Sequence, residues 1–146
     1  MQLRAGTTQD TSSIRALLAA EDLPTADLSR SSPQFIVAFD DANTIVAAGA
    51  LETHGDSALL RSVVVARAVR GTGLGQRVVQ ELERIARIAQ VKQLALLTQS
   101  ARQFFERQGY RVIARQAAPE VLQQTEEFRS LCPVSAICMA KFLAEA

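Results

Sequence analysis

The sequence predicts a mixed α/β fold, a central twisted sheet of six to seven mostly antiparallel strands flanked by helices. Three observations carry this. Alternating and β-branched apolar segments in the first half are joined by short turns rather than by helices. A glycine-rich turn then leads into apolar residues at helical spacing: Leu74, Val78, Val79, Leu82, Ile85, Ala86 and Ala89. Beyond it, strand and helix patterns alternate to the end of the chain, as β–α–β units do.

Taken in order, Asp10 is placed to cap a first helix whose inner face is Ile14, Leu17 and Leu18. Leu23-Pro24-Thr25-Ala26-Asp27-Leu28 reads as a loop with one helical turn. Phe35, Val37 and Phe39 alternate in a short strand after Pro33, and Asp40-Asp41-Ala42-Asn43 turns the chain into a strand over 44–54. Gly55-Asp56 is a two-residue hairpin leading into the strand 59–65. The long helix occupies about 73–89, and 93–98 forms a buried strand. A short helix over 101–108 ends at Gly109, a favourable C-cap. A strand over 110–115, a helix over 119–128 and a closing strand over 135–143 complete one domain spanning 1–146, with no internal repeat or linker.

The hairpin fixes a register, with His54 facing Ser57, Glu52 facing Leu59 and Ala50 facing Arg61. Period two then puts His54, Glu52, Arg61, Val63 and Val65 on one face, with Thr53, Leu51, Leu60, Ser62 and Val64 on the other. A bulge would shift this pattern, and bulges are common beside active sites.

Composition excludes several function classes. A chain of 146 residues, 48% apolar and 21% charged, can bury a core without staples. Its net charge of +1 gives no electrostatic reason to expect nucleic acid or a membrane surface as partner. No stretch approaches the roughly 18 apolar residues of a spanning helix. Residues 1–8 lack the apolar stretch of a signal peptide. Cys132 and Cys138 are too few for a disulfide framework, which points to the cytoplasm. Six positions apart, they also form no close metal-ligand spacing.

Arg70-Gly71-Thr72-Gly73-Leu74-Gly75 is the most informative motif, because it stands between a strand and a helix. Such a turn aims backbone N–H groups and the helix dipole at an anion, and Arg70 adds a charge-assisted contact. We read it as a pyrophosphate cradle. Gly75 is followed by Gln76 and Arg77, so it is no Walker A loop. The glycine spacing, with no carboxylate on the strand 93–98, is not that of a dinucleotide fingerprint.

The spelling Arg-x-x-Gly-x-Gly, carried by Arg70, Gly73 and Gly75, resembles the acyl-CoA signature of the GCN5-related N-acetyltransferases (GNAT). The order of elements and the segment from Ala101 to Tyr110, with its paired Phe104 and Phe105 before Gly109, are similar to that family too. The resemblance implies an acetyl-CoA-dependent N-acetyltransferase, with acetyl-CoA as cosubstrate and no metal. It implies that the pantetheine arm runs along Val63, Val64 and Val65, and that the pyrophosphate sits on the amides of Arg70, Gly71, Thr72, Gly73, Leu74, Gly75 and Gln76. The thioester would then point between that strand and the one ending at Thr98, beside Phe104 and Phe105. Many relatives form homodimers through sheet edges or C-terminal strands. Leu23–Leu28, Leu59-Leu60-Arg61-Ser62, Leu96-Leu97-Thr98 and the segment 128–136 further resemble acetyltransferases encoded in arsenic-resistance clusters, which are similar to phosphinothricin acetyltransferases. That narrower resemblance implies a small amine acceptor, an anionic amino acid or its arsenic or phosphorus analogue.

Acetyl transfer to an amine needs a base for the amine's proton and a donor for the carbonyl oxygen as it gains charge. By analogy the Val64 or Val65 N–H is that donor. Glu52, facing the cleft on the sheet, is the first candidate base, and the alternatives for it are a pair with Arg61 or a place in solvent. His54, the only histidine, is a second candidate or a solvated turn residue. Arg61, in the middle of a β-branched strand, needs an anion: Glu52, or a substrate carboxylate held together with Ser62. Phe105 departs from the family, in which many members carry a tyrosine there as acid for the leaving thiolate. Tyr110 follows Gly109, where the family has a packing aromatic, and reads as structural. Two alternatives stay open: a non-catalytic acyl-CoA or metabolite sensor of the same fold, and a longer acyl donor.

Overall fold

In a computed structural model, residues 1–25, 33–131 and 135–143 are described. The strands are β1 (Gln2–Ala5), β2 (Gln34–Phe39), β3 (Ile45–His54), β4 (Ser57–Val65), β5 (Gln93–Thr98), β6 (Arg111–Ile113) and β7 (Ile137–Phe142). The described helices are α1 (Thr11–Ala20), α2 (Leu74–Ile88), α3 (Arg102–Arg107) and α4 (Glu120–Gln123). One seven-stranded sheet runs in the order β1-β2-β3-β4-β5-β7-β6, antiparallel except where β4 meets β5. This is the fold class the sequence predicts.

Helices cover both faces. On one, Val78, Val79, Leu82 and Ala86 of α2 pack with Leu51, Leu60, Leu94 and Met139. On the other, Ile14 and Leu18 of α1 meet Val37, Ala48 and Val64, while Leu122 and Phe128 meet Leu59, Ala95 and Cys138. Gly49 lets α2 approach this closely, since a Cβ there would lie 2.8 Å from Val78 Cγ1 and 2.9 Å from Leu82 Cδ1.

The hairpin register is the one expected: His54–Ser57, Glu52–Leu59 and Ala50–Arg61 are opposed, and Gly55 takes φ +66°. The face assignment beyond Arg61 is corrected. Register shifts between Ala48 and Ala50, and Ser62 adopts φ +58°, so an extra residue of β4 sits opposite Gly49. Val63 and Val65 therefore pack on the α2 side with Leu60, and Val64 joins the α1 side. Arg61 stays on the side of Leu59, opposite to Val63.

Other departures have local causes. β1 lacks an apolar alternation and is held as an edge strand by its pairing with β2. Asp10 precedes α1 as expected, yet its carboxylate accepts from Thr7 N–H at 2.8 Å and from the Arg4 guanidinium at 2.7 and 2.9 Å. It thereby closes the turn before the helix rather than the helix itself. The strand expected over 110–115 is only β6, followed by a 3₁₀ turn at Arg115–Ala117. The helix expected over 119–128 breaks at Thr125, whose hydroxyl donates to Leu122 C=O at 2.7 Å and accepts from Phe128 N–H at 3.4 Å. Such side-chain bonds compete with the helical ladder. A π-helical turn, Glu127–Leu131, follows. The expected turn at 26–28 and Cys132 lie outside the described residues.

Candidate active site

The cleft exists because β4 and β5 pair only briefly. Ser57, Ala58 and Leu59 oppose Gln93, Leu94 and Ala95, and beyond them the two strands part. The gap opens into a cavity of about 1020 Å³ whose walls include β4 from Leu60 to Val65, the end of β5, the start of α2 and Phe104. All sixteen residues of the expected site line this cavity except Glu52 and Thr72.

At the outer end, Gly71 and Gly73 both take φ +81°, a conformation that favours glycine, and a Cβ at either would meet nothing within 4 Å. Gly73 caps α2, whose first backbone bond runs from Arg77 N–H to Gly73 C=O at 3.1 Å. The amides of Leu74, Gly75 and Gln76 thus precede the helical ladder and carry the positive end of the helix dipole. Thr72 Oγ1 donates to Val69 C=O at 2.7 Å and holds the turn from behind. Gly75 must be small, because a Cβ would stand 3.3 Å from the Phe104 ring and 3.4 Å from Val65 Cγ2. A row of backbone donors in open space at a helix N-terminus suits a pyrophosphate. Arg70 is already engaged: its Nε donates to Val65 C=O at 3.1 Å and its Nη2 lies 2.9 Å from Glu21. Glu21 also accepts from Arg67 at 3.1 Å, and its hydrogen bonds to Arg67 and then Arg70 hold its carboxyl below the usual range.

The inner end holds a buried charge cluster. Arg61, with a fully enclosed side chain, has Nη1 3.8 Å from Glu52 and Nε 3.5 Å from Glu127. His54 Nε2 stands 3.6 Å from the other oxygen of Glu52, and Arg61 Nε also donates to Ser62 Oγ at 3.3 Å. The structure thus brings Glu52, Arg61 and Ser62 together as expected, and adds Glu127. Glu127 lines the cleft with Arg61 and Ser62, whereas Glu52, on β3, does not line it. Sequence reasoning missed Glu127 because it assigned 119–128 to a plain helix, where a Glu-Glu pair before Phe128 reads as a solvated face.

Phe105 is buried edge-on to Phe104 and Tyr110, with ring centroids 4.9 and 5.6 Å away. The Tyr110 hydroxyl donates to Glu83 at 2.8 Å, and Lys141 donates to the same carboxylate at 3.1 Å. Burial, then the Glu83 charge, pushes the phenol far above its usual range. That makes Tyr110 a brace between α2 and β7, not a proton donor to the cleft. Thr98 Oγ1 accepts from Ala101 N–H at 3.0 Å and fixes the turn into α3. Cys138 is buried, and burial drives its thiol up to about 11. Among the described residues no cluster of three His, Cys, Asp or Glu side chains is placed to hold a metal, and no helix is long and apolar enough to cross a membrane.

Solved structures share this fold. Rv2747 from Mycobacterium tuberculosis, in complex with CoA and NLQ, aligns over 99% of this chain and 100% of its own, with 23% identity and a TM-score of 0.79. N-acetylglutamate synthase from Neisseria gonorrhoeae, complexed with coenzyme A and N-acetyl-glutamate, gives a TM-score of 0.82 at 17% identity. The match covers 99% of this chain but 36% of that one, so the chain spans about a third of the synthase. The ribosomal-protein-S18-alanine N-acetyltransferase from Escherichia coli gives 0.75 at 16% identity, over 99% of this chain and 95% of its own. These likenesses establish the fold. No curated protein matches the chain in sequence. The model of the acetyltransferase (GNAT) domain matches residues 31–112, more than half of the sequence. With the glycine cradle and the parted strands in place, the chain belongs to the acetyltransferase (GNAT) domain family and is an N-acetyltransferase.

Proposed function

We propose that this enzyme transfers the acetyl group of acetyl-CoA directly to the amine of a small molecule, with no covalent enzyme intermediate. The observation that carries the reading is the cradle itself: open backbone donors at the start of α2, at one end of a cleft that runs between β4 and β5. Leu74, Gly75 and Gln76 amides would hold the pyrophosphate. Val63 to Val65 would bind the pantetheine arm, and the Val64 or Val65 N–H would receive the charge on the carbonyl oxygen. Phe105 supplies no proton. A thiol with a pKa of about 8.5 leaves without one.

For the acceptor, we propose an anionic amino acid or its arsenic or phosphorus analogue, with Arg61 and Ser62 at the anion. Support comes from the resemblance to arsenic-resistance acetyltransferases and from the N-acetyl-glutamate held by the Neisseria synthase. A second reading has its own observation. Glu52 and Glu127 already stand 3.8 and 3.5 Å from Arg61, which favours a cationic amine there over a further anion. The proposal also takes the enzyme to be one cytoplasmic domain that pairs as a homodimer, for which β1 and β6 are the free sheet edges.

The deciding experiment measures acetyl-CoA-dependent thiol release with phosphinothricin, methionine sulfoximine, glutamate, aspartate and a polyamine. Turnover confined to the anionic amino acids supports the first reading, and turnover confined to the polyamine supports the second. Thiol release with none of them, while acetyl-CoA binds, would overturn both.

A further inference from the structure

We infer that Glu127, rather than Glu52, is the base that takes the acceptor's proton. The inference rests on the acetyl-transfer reading and deepens it at one residue. Three features of the structure converge on this side chain.

The first is position. Glu127 is 4% exposed, yet it lines the cleft wall together with Arg61 and Ser62. Glu52 approaches the same guanidinium from β3 and does not line the cleft. The second is backbone. Glu127 opens a π-helical turn, a rare conformation that recurs at functional sites. The turn is stapled in place by Thr125, whose C=O accepts from Arg129 N–H at 3.0 Å, and by Arg115. The Arg115 guanidinium donates to Phe128 C=O at 3.4 Å and Ala136 C=O at 3.0 Å, tying the turn to the start of β7. Neighbouring residues thus serve different surfaces, with Phe128 in the core and Glu127 on the cleft. The third is charge. Arg61 faces Glu127 from β4, Glu52 and His54 stand on the neighbouring β3, Arg115 reaches the adjoining Phe128 C=O, and Glu126 beside Glu127 is exposed. The Arg61 guanidinium already has two carboxylates beside it, so a further anion is disfavoured there, whereas an ammonium entering the cleft is drawn to the carboxylate that lines it.

In the resulting step the acceptor ammonium gives one proton to Glu127. The freed lone pair forms the C–N bond as the C–S bond breaks. The second nitrogen proton ends on the departing sulfur, and Glu127 returns its own proton to solvent. Glu52 is then a positioning residue that holds Arg61 in register.

The test compares Glu127→Gln with Glu52→Gln on the best acceptor of the panel. Each variant leaves Arg61 one carboxylate partner. For Glu127→Gln, kcat should fall about a hundredfold or more at pH 7. It should recover about tenfold per pH unit toward the acceptor's own pKa, because only pre-neutralised amine can then react, and acetyl-CoA affinity should stay unchanged. Glu52→Gln should lose only severalfold, by the same factor at every pH. Glu127→Gln within threefold of wild type, or uniformly slowed at all pH, would overturn the inference, as would the recovering profile appearing in Glu52→Gln instead. If Glu127→Gln does not fold, Glu127→Asp keeps a carboxylate and should retain the wild-type pH slope. A wild-type enzyme that acetylates no amine defeats the acetyl-transfer reading, whereas an active wild type with an indifferent Glu127 defeats this assignment alone.

Discussion

Arg61 is enclosed between two carboxylates, and that decides what its removal does. Either glutamine variant leaves Arg61 one carboxylate partner, but Arg61→Ala takes from the buried Glu52 and Glu127 the guanidinium they share. Breaking a buried pair in this way costs about 3–5 kcal/mol. Urea unfolding should show a loss of that size for Arg61→Ala, and a loss under 1 kcal/mol (roughly that of an exposed ion pair) would mean the cluster is solvated. Asp10 makes a different kind of residue-scale prediction. The Arg4 guanidinium and the Thr7 N–H lower its carboxyl from 3.8 to about 2. A depressed carboxyl stabilises the fold above its ordinary pKa, and this contribution disappears as pH falls from about 4 to about 2. With Arg4 partly exposed, it amounts to about 1–2 kcal/mol. Asp10→Asn should cost that much at pH 7 and nothing at pH 2, as read from denaturant midpoints at the two pH values.

The helix α2 works at both ends, and the two ends predict opposite outcomes. Its N-terminus is open at Gly73, so Gly73→Trp both fills the cradle and forces a bulky residue to φ +81°. Acetyl-CoA affinity should fall at least tenfold by calorimetry, and unchanged affinity would remove the cradle from the site. Its far half carries Glu83, which ties Tyr110 and Lys141 together away from the cleft. Tyr110→Phe should therefore cost about 1 kcal/mol of stability and leave kcat unchanged at all pH. A kcat lowered selectively at high pH would instead make the phenol an acid. Elements of this kind were the legible ones: the apolar stripe of α2, the glycines before it and the Gly55-Asp56 turn all announce themselves by spacing. The short elements were not. Thr125 diverts its backbone by a hydroxyl contact that no periodicity encodes, and with that diversion went Glu127. The bulge at Ser62 was equally silent, since an extra residue in one strand leaves the apolar alternation on either side of it intact.

At the scale of the molecule, function comes from a failure of pairing. β5 pairs with β7 along its whole length but with β4 for only three residues, leaving a wedge lined by the start of α2 and by Phe104. The family resemblance, carried by the glycine turn and the strand before it, implied where this gap would lie. Its width was not visible, since splay depends on the bulge and on how closely α2 is drawn onto Gly49. A wedge held open at one end by so little pairing should be stabilised by what fills it. Ligand at a hundredfold excess over its Kd adds about 2.7 kcal/mol, and for a chain of this size each kcal/mol raises Tm by about 2–4 °C. Saturating acetyl-CoA should therefore raise Tm by about 5–11 °C in a thermal shift measurement. The fragment acetyl-pantetheine, which in the proposed binding mode engages the strand but has no pyrophosphate to offer the α2 amides, should give a clearly smaller shift at the same concentration. Equal shifts from both would mean that the glycine turn contributes nothing to binding. A full shift from acetyl-CoA that Gly73→Trp abolishes, with the acetyl-pantetheine shift retained, would assign the two halves of the ligand to the two walls of the wedge.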